Sequence, residues 1–326
     1  MSKPNQEALI DAGTVKADLV AAVTAAGGVQ KIRGNATTLL PYDWQRIDTT
    51  VVQVAQPILV GIQSLRSRAA LVDTFDAFSV MALGYDQVSD VEAASLVMEL
   101  EERPGNDLPT FNRVLIPAPF VTKSFRVNSR ELNVSRNGGA PLDTTAAALS
   151  SVKVAQKLEG LLFNGASSYK AAGGTIYGYT DHPNRITGSL GTSWSTETGD
   201  DIVAKVCDMQ QAAINKNHFG PFELYCPVAY STPLNKDLST TKDTPIIERL
   251  RKIDGIEDVK FSSVLAADNV VLVEMSPATI QLCIGLDITN IPWNTPVGSL
   301  NMIVAACMIP KIKIDQAGQC GVVHFS

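Results

Sequence analysis

An α+β protein of about two folded parts is predicted by three features of the sequence. Residues 143–163 read as one long helix without a break, residues 111–128 alternate apolar and polar side chains as a strand does, and from Asp200 onward helix and strand patterns alternate. A chain of 326 residues buries roughly three quarters of its extended surface, enough for two cores.

The long helix is the element the rest is organised around. Asp143 is placed to cap it and Asn164-Gly165 to close it, while Ala148, Val152, Ala155, Leu158 and Leu162 recur every three or four residues as one apolar stripe. Lys153, Gln156, Lys157 and Glu159 fall largely off that stripe. Such a helix is about 30 Å long.

In chain order, residues 5–26 form an amphipathic helix on Leu9, Val15, Leu19 and Val23, stopped by Gly27-Gly28, and residues 30–38 are polar and extended. This front segment is an arm, because one such helix cannot cover its own apolar face. A second helix starts after Pro41 with Asp43 as cap, carries Trp44, Ile47, Val51, Val54, Ile58 and Leu65, and is kinked by Pro57. Residues 75–88 then take strand composition. Residues 88–112 set Leu96, Met98 and Leu100 against Glu99 and Glu101 and end in the turn-rich 103–107; with the strand that follows they read as a two-stranded excursion leaving a body near 85 and re-entering near 120. A lone hairpin of that length is marginal in water, so its stability comes from a partner surface.

Beyond the long helix, the glycine-rich aromatic stretch 173–179 reads as a connector, followed by the polar stretch 187–199. Ile202, Val206, Met209 and Ala213 then mark a helix, 222–226 a buried strand, Thr244-Pro245 the start of a helix ending at Asp254-Gly255, and 259–264, 270–275 and 280–284 further strands. Residues 191–296 therefore form a compact α/β unit. The tail, 300–308 and 309–314, is strand again.

The formal net charge of −6 and a pI near 5.2 exclude a sequence-reading nucleic-acid binder with a basic face. Five cysteines, Cys207, Cys226, Cys283, Cys307 and Cys320, form no CxxC pair; they read as buried thiols in a reducing compartment, without a disulfide framework or zinc site. Glu7, Asp11 and Asp18 spoil an export signal, and no apolar run approaches the roughly 18 residues that cross a bilayer. The chain reads as cytosolic.

No phosphate loop, dinucleotide fingerprint, nucleophile elbow or HExxH pair occurs. His182, His218 and His324 read as surface or hydrogen-bonded histidines rather than catalytic ones, and Glu99, Glu101 and Glu102 as a solvated or partner-facing loop. The expectation is a non-enzyme with no catalytic, metal or cofactor site. The minor alternative is a soluble α/β hydrolase or transferase built on 191–296.

Residues 39–326 resemble the encapsulin shell proteins and the major capsid proteins of tailed phages, which share the Hong Kong 97-type fold. The likeness is carried by Leu40-Pro41 with Trp44 and Ile47-Asp48; Arg68 with Leu71-Val72-Asp73; and Ser129-Arg130-Glu131-Leu132 with Gly138-Gly139-Ala140-Pro141-Leu142-Asp143. It continues through Glu159 with Leu162-Phe163-Asn164-Gly165; Gly220-Pro221-Phe222-Glu223-Leu224 with Pro227 and Tyr230; and Gly285 with Asp287-Ile288. The resemblance implies an N-terminal arm (1–38), a peripheral domain (39–87 and 113–190, with the spine helix 143–163), an extended loop (88–112), an axial domain (191–296) and return strands (297–326). The arm of about 38 residues is more like a phage capsid than a simple encapsulin.

The implied function is a major capsid protein of a tailed phage, assembled in the host cytoplasm into pentamers and hexamers of an icosahedral shell around double-stranded DNA, in the virion. Decoration, scaffolding and portal proteins are the other implied partners, with no membrane. An encapsulin-type shell around a cargo enzyme is the alternative. Expected contacts between subunits are Leu96, Met98, Glu99, Leu100, Glu101, Glu102, Arg103 and Asp107. Some shells of this family are closed by a bond from an extended-loop lysine; no lysine lies between Lys31 and Lys123, so a non-covalent shell is expected. Arg33, Arg66 and Arg68 are candidates for a modest inner basic patch.

Overall fold

The computed structural model describes residues 41–91, 93–94, 108–128, 144–239, 242–293 and 299–326. In chain order the elements are α1 (Pro41–Ala55), α2 (Val60–Ser67), β1 (Val72–Thr74), β2 (Ala82–Val88), β3 (Phe111–Pro117), β4 (Val121–Asn128) and α3 (Thr145–Asn164). Then come β5 (Ala166–Ala171), β6 (Gly174–Ile176), β7 (Ile186–Gly188), α4 (Gly199–Ile214), β8 (Phe222–Pro227), α5 (Ser231–Leu234), β9 (Asp237–Ser239) and β10 (Lys242–Pro245). Last are α6 (Ile246–Arg251), β11 (Ile256–Ser262), β12 (Val270–Glu274), β13 (Ile280–Trp293), β14 (Ser299–Ile312) and β15 (Val322–Phe325).

Two sheets organise the molecule. One runs β1-β13-β14-β4 and the other β11-β8-β12-β15-β7. The four-stranded sheet is buried on both faces, and β14 shows how. Met302, Val304, Ala306 and Met308 point to a core shared with Ile47 and Val51 of α1, Ile62 and Leu65 of α2, and Val154, Leu158 and Leu162 of α3. The intervening Ile303, Ala305, Cys307 and Ile309 point the other way, onto Ile116, Ala118 and Ile176. Period-two alternation in one strand thus puts the three helices on one face and the base of the β2–β3 ribbon with the β5–β6 hairpin on the other.

The five-stranded sheet has its own core, in which Ile202, Val206, Met209 and Ala213 of α4 and Leu250 of α6 cover Leu224, Leu272 and Val323. Every residue of β8 is buried, the charged Glu223 included. Thr198 caps α4 by accepting from the Asp201 amide, with Asp200 and Asp201 in the first turn complementing the helix dipole.

Several expectations are corrected. The helix from 43 to 65 is two helices, because Pro57 sits in a turn at 56–58 that α1 cannot cross. Within the expected strand region 75–88 only 82–88 is strand, β1 lying just before it at 72–74, and 111–128 breaks at 118–120 into β3 and β4, which enter different sheets. The stretch 173–179 contributes β6 to a hairpin rather than a plain connector. Residues 300–314 give one strand, β14, ending at Ile312. The strand expected at 280–284 within the α/β unit runs to Trp293 and pairs with β14, while β15, from the tail, lies inside the five-stranded sheet between β12 and β7.

Helix α3 spans 145–164, close to its expected bounds, and ends at Gly165 with φ 64°. Gly165 and Gly178 back onto each other there: a Cβ on Gly178 would lie 2.3 Å from the Gly165 nitrogen and 2.6 Å from the Phe163 oxygen. Only glycine fits, and the obstruction is backbone rather than a pliable side chain. Gly178→Ala is expected to cost about 4 kcal/mol or more and to lower the urea midpoint accordingly.

Candidate assembly surface

The eight residues expected to make intersubunit contacts, Leu96, Met98, Glu99, Leu100, Glu101, Glu102, Arg103 and Asp107, lie outside the described residues. What is described is the stem that carries them. Strands β2 and β3 pair antiparallel from Ala82↔Pro117 to Val88↔Phe111, and the Ser89 amide extends the ladder by donating to the Thr110 carbonyl at 2.9 Å. Among the described residues the stem is a two-stranded sheet, β2 with β3.

The two most exposed large apolar side chains described, Leu108 and Met81, lie at the two ends of this stem. Leu108 is 83% exposed, Phe111 69% and Val91 51% toward its far end, and Met81 is 82% exposed at its base, beside Phe120, whose ring centroid lies 5.3 Å from that of Phe78. The root is fixed. Gly174 of β6 approaches β3 so closely that a Cβ there would meet the Leu115 carbonyl oxygen at 2.1 Å, and Ile116 is buried against the four-stranded sheet. A ribbon anchored at its root and apolar along its reach is built to lie on another surface. The exposure of Leu108 and Phe111, flanking Pro109-Thr110, was not anticipated from the sequence; the available signal was two large apolar residues in an otherwise polar, turn-rich stretch.

The body that carries the ribbon is held rigid by buried carboxylates. Glu223 of β8, at 2% exposure, accepts from Arg68 at 2.6 Å, Lys260 at 3.2 Å, the Tyr225 hydroxyl at 2.6 Å and the Ser64 hydroxyl. It joins α2 to the five-stranded sheet. Arg68 also pairs with Glu257, and Arg66 with Asp287. Both arginines are therefore spoken for and do not form the free basic patch expected of them, and Arg33 lies outside the described residues.

Glu159, expected off the apolar stripe of α3, is fully buried. Its carboxyl accepts from the backbone amides of Gly61 at 2.6 Å and Ile62 at 3.4 Å, groups left unpaired at the start of α2. Burial nonetheless dominates and pushes its pKa up to about 7. The folded state thus holds this proton more tightly than the unfolded chain does. The associated stability is complete below the ordinary value of 4.5 and is lost as pH rises through about 7, a difference of roughly 3 kcal/mol. Urea midpoints at pH 5 and pH 8 are expected to show that slope in the native chain and to lose it in Glu159→Gln.

The histidines are buried and hydrogen-bonded. His218 Nδ1 lies 2.7 Å from Glu274 and its Nε2 3.6 Å from Asp315, His324 Nε2 lies 2.7 Å from Asn269, and His182 Nδ1 accepts from the Asn184 amide at 3.2 Å. Cys226, Cys283, Cys307 and Cys320 are buried as expected, whereas Cys207 is exposed on α4. Among the described residues no cluster of metal-binding side chains occurs, and no helix is long and apolar enough to cross a membrane.

A long helix crossing a sheet, a two-stranded ribbon and a second α/β unit make up the Hong Kong 97-type fold. The chain belongs to the family of unknown function DUF6260, whose model matches residues 35–325. It is 24% identical over 248 residues to the type 1 encapsulin shell protein EncA of Myxococcus xanthus, covering 75% of this chain and 80% of that protein. Its fold matches the virus-like particle from Pyrococcus furiosus with a TM-score of 0.65 at 16% identity, over 88% of this chain and 100% of the other. It matches the capsid of Myoviridae phage XM1 with a TM-score of 0.62 at 10% identity, over 92% and 99%.

Proposed function

We propose that the chain is the major capsid protein of a tailed phage, a subunit whose copies close into an icosahedral shell around double-stranded DNA. The observation that carries the shell reading is the ribbon, whose Leu108 and Phe111 stand largely exposed. Support for a capsid comes from the near-complete overlap with the phage XM1 capsid chain. The segment 88–112 acts as the extended loop, with Leu96, Met98 and Leu100 buried against a neighbour and Glu99, Glu101, Glu102, Arg103 and Asp107 in polar contact at the rim. In the same reading, the parts around α3 form the peripheral domain and those around β8 the axial domain, which meets its copies in pentamers and hexamers. Electron microscopy and gel filtration of the expressed chain test this: closed particles are expected, and a 34.8 kDa monomer under every assembly condition would overturn it.

The identity to EncA favours a second reading, a protein nanocompartment enclosing a cargo enzyme. Absorbance of particles purified from the native source decides between them, since a genome container carries a dominant nucleic-acid peak. In both readings the shell is non-covalent, because 88–112 holds no lysine. Boiling particles in detergent is expected to release one band at monomer mass; a ladder that resists reducing agent would contradict it.

A further inference from the structure

Helices α1 and α3 pack against each other on one face of the four-stranded sheet, and each turns a stripe of exposed side chains away from it. Two of those side chains are apolar: Val52 on α1 is 44% exposed and Leu149 on α3 is 61% exposed. Lys153 and Lys157, one turn apart on α3, are exposed beside them, and among the described residues neither is paired with a carboxylate. The half-exposed carboxylates Asp287 and Glu257 are taken up by Arg66 and Arg68 at the end of α2, Glu159 is buried, and Asp48 is half-buried. A surface that is apolar along one line and cationic along the next fits an amphipathic partner with an acidic edge.

The chain carries such a segment. In the helix expected over 5–26, which lies outside the described residues, Val15, Leu19 and Val23 fall on one line and Glu7, Asp11 and Asp18 on another, about 100° around the axis. Glu7 and Asp11 have the same four-residue spacing as Lys153 and Lys157, so the two charge pairs can meet while the apolar lines do. Residues 27–40 join this helix to α1, and they include Gly27, Gly28 and Gly34. Such a linker reaches about 20 Å as a loose coil and about 45 Å extended, against roughly 22 Å for the length of α1. The arm can therefore turn back along the helix it precedes. The matching family model begins at residue 35, so the arm lies outside what that model describes.

We infer that the N-terminal arm is a strap on its own subunit, its helix laid across α1 and α3 with Glu7 and Asp11 against Lys153 and Lys157, and Val15, Leu19 and Val23 over Val52 and Leu149. This holds for one chain by itself and does not depend on the shell reading.

The test uses the full chain in a Cys207→Ser background, which removes the exposed thiol and leaves the four buried ones. Gln53→Cys then places one reactive group on the face. A maleimide is expected to react with it several-fold more slowly than in the same chain lacking residues 2–34, and equal rates would overturn the inference. Lys153→Glu with Lys157→Glu in the full chain is expected to remove the protection, and adding Glu7→Lys with Asp11→Lys to restore it. Should the truncated chain fail to fold, this pair decides alone: unchanged protection on reversal, or no rescue, overturns the inference. A second measurement identifies whose arm it is. Ala12→Cys with Gln156→Cys, treated with a short bis-maleimide, is expected to give a cross-linked product at monomer mass in a denaturing gel. A product at dimer mass would assign the face to a neighbour's arm, and no product would leave the arm elsewhere; either overturns the inference, whether or not the chain forms particles.

Discussion

Leu108→Asp combined with Phe111→Asp is expected to leave a folded subunit that no longer closes into particles. Both residues are among the most exposed apolar side chains described, so removing them takes nothing from either core. Each would contribute about 1.5–3 kcal/mol when covered by a neighbour, and aspartate in their place would bury charge without a partner. Losing roughly 3–6 kcal/mol per contact raises the concentration needed for assembly by two orders of magnitude or more. Gel filtration and thermal melting together check this. A monomer peak with an unchanged melting temperature is the expected pair of results, and full-size particles from the double variant would show that the ribbon is not what holds the shell.

The second large effect is expected at Glu223. Glu223→Ala leaves Arg68 and Lys260 facing a buried gap and strips the Ser64 and Tyr225 hydroxyls of their acceptor. Removing one partner from such a buried charged cluster costs about 3–5 kcal/mol. Because Glu223 is where α2 meets β8, the loss should appear as weakened coupling between the two sheets as well as a lower midpoint. Glu223→Gln keeps the shape and an acceptor oxygen and is expected to cost less. Urea denaturation followed separately by Trp194, in the core of the five-stranded sheet, and by far-ultraviolet dichroism reads both effects. Coincident curves with an unchanged midpoint for Glu223→Ala would contradict the cluster's role.

Elements long enough to show a period were legible. Helix α3 and strand β8 fall within two residues of where their apolar spacing places them, and α4 contains all four of the residues that mark it. Strands β1, β7 and β15 were not, since three or four residues carry too little pattern and their places are set by partners about fifty to two hundred residues away. Glu159 was read by its charge and Glu223 only as part of a buried strand, whereas what each is bonded to follows from the unpaired amides of α2 for the one and from Arg68 and Lys260 for the other. No local pattern announces that. The ribbon was legible as an excursion because it is stranded, polar and turn-bounded, but which of its residues face outward depends on the register of β2 on β3.

The order in which the sheets close bears on synthesis. Strands β13, β14 and β15 lie late in the chain, yet β13 and β14 occupy the middle of one sheet and β15 separates β12 from β7 in the other. A nascent chain that has reached residue 275 can form helices and the ribbon but can complete neither sheet. Its contacts are among the most distant in sequence, and such pairings form slowly. On a polysome, then, neighbouring unfinished chains present ribbons with no finished body to receive them. Under the proposed shell function, the order of synthesis would keep subunits from locking together until they are whole.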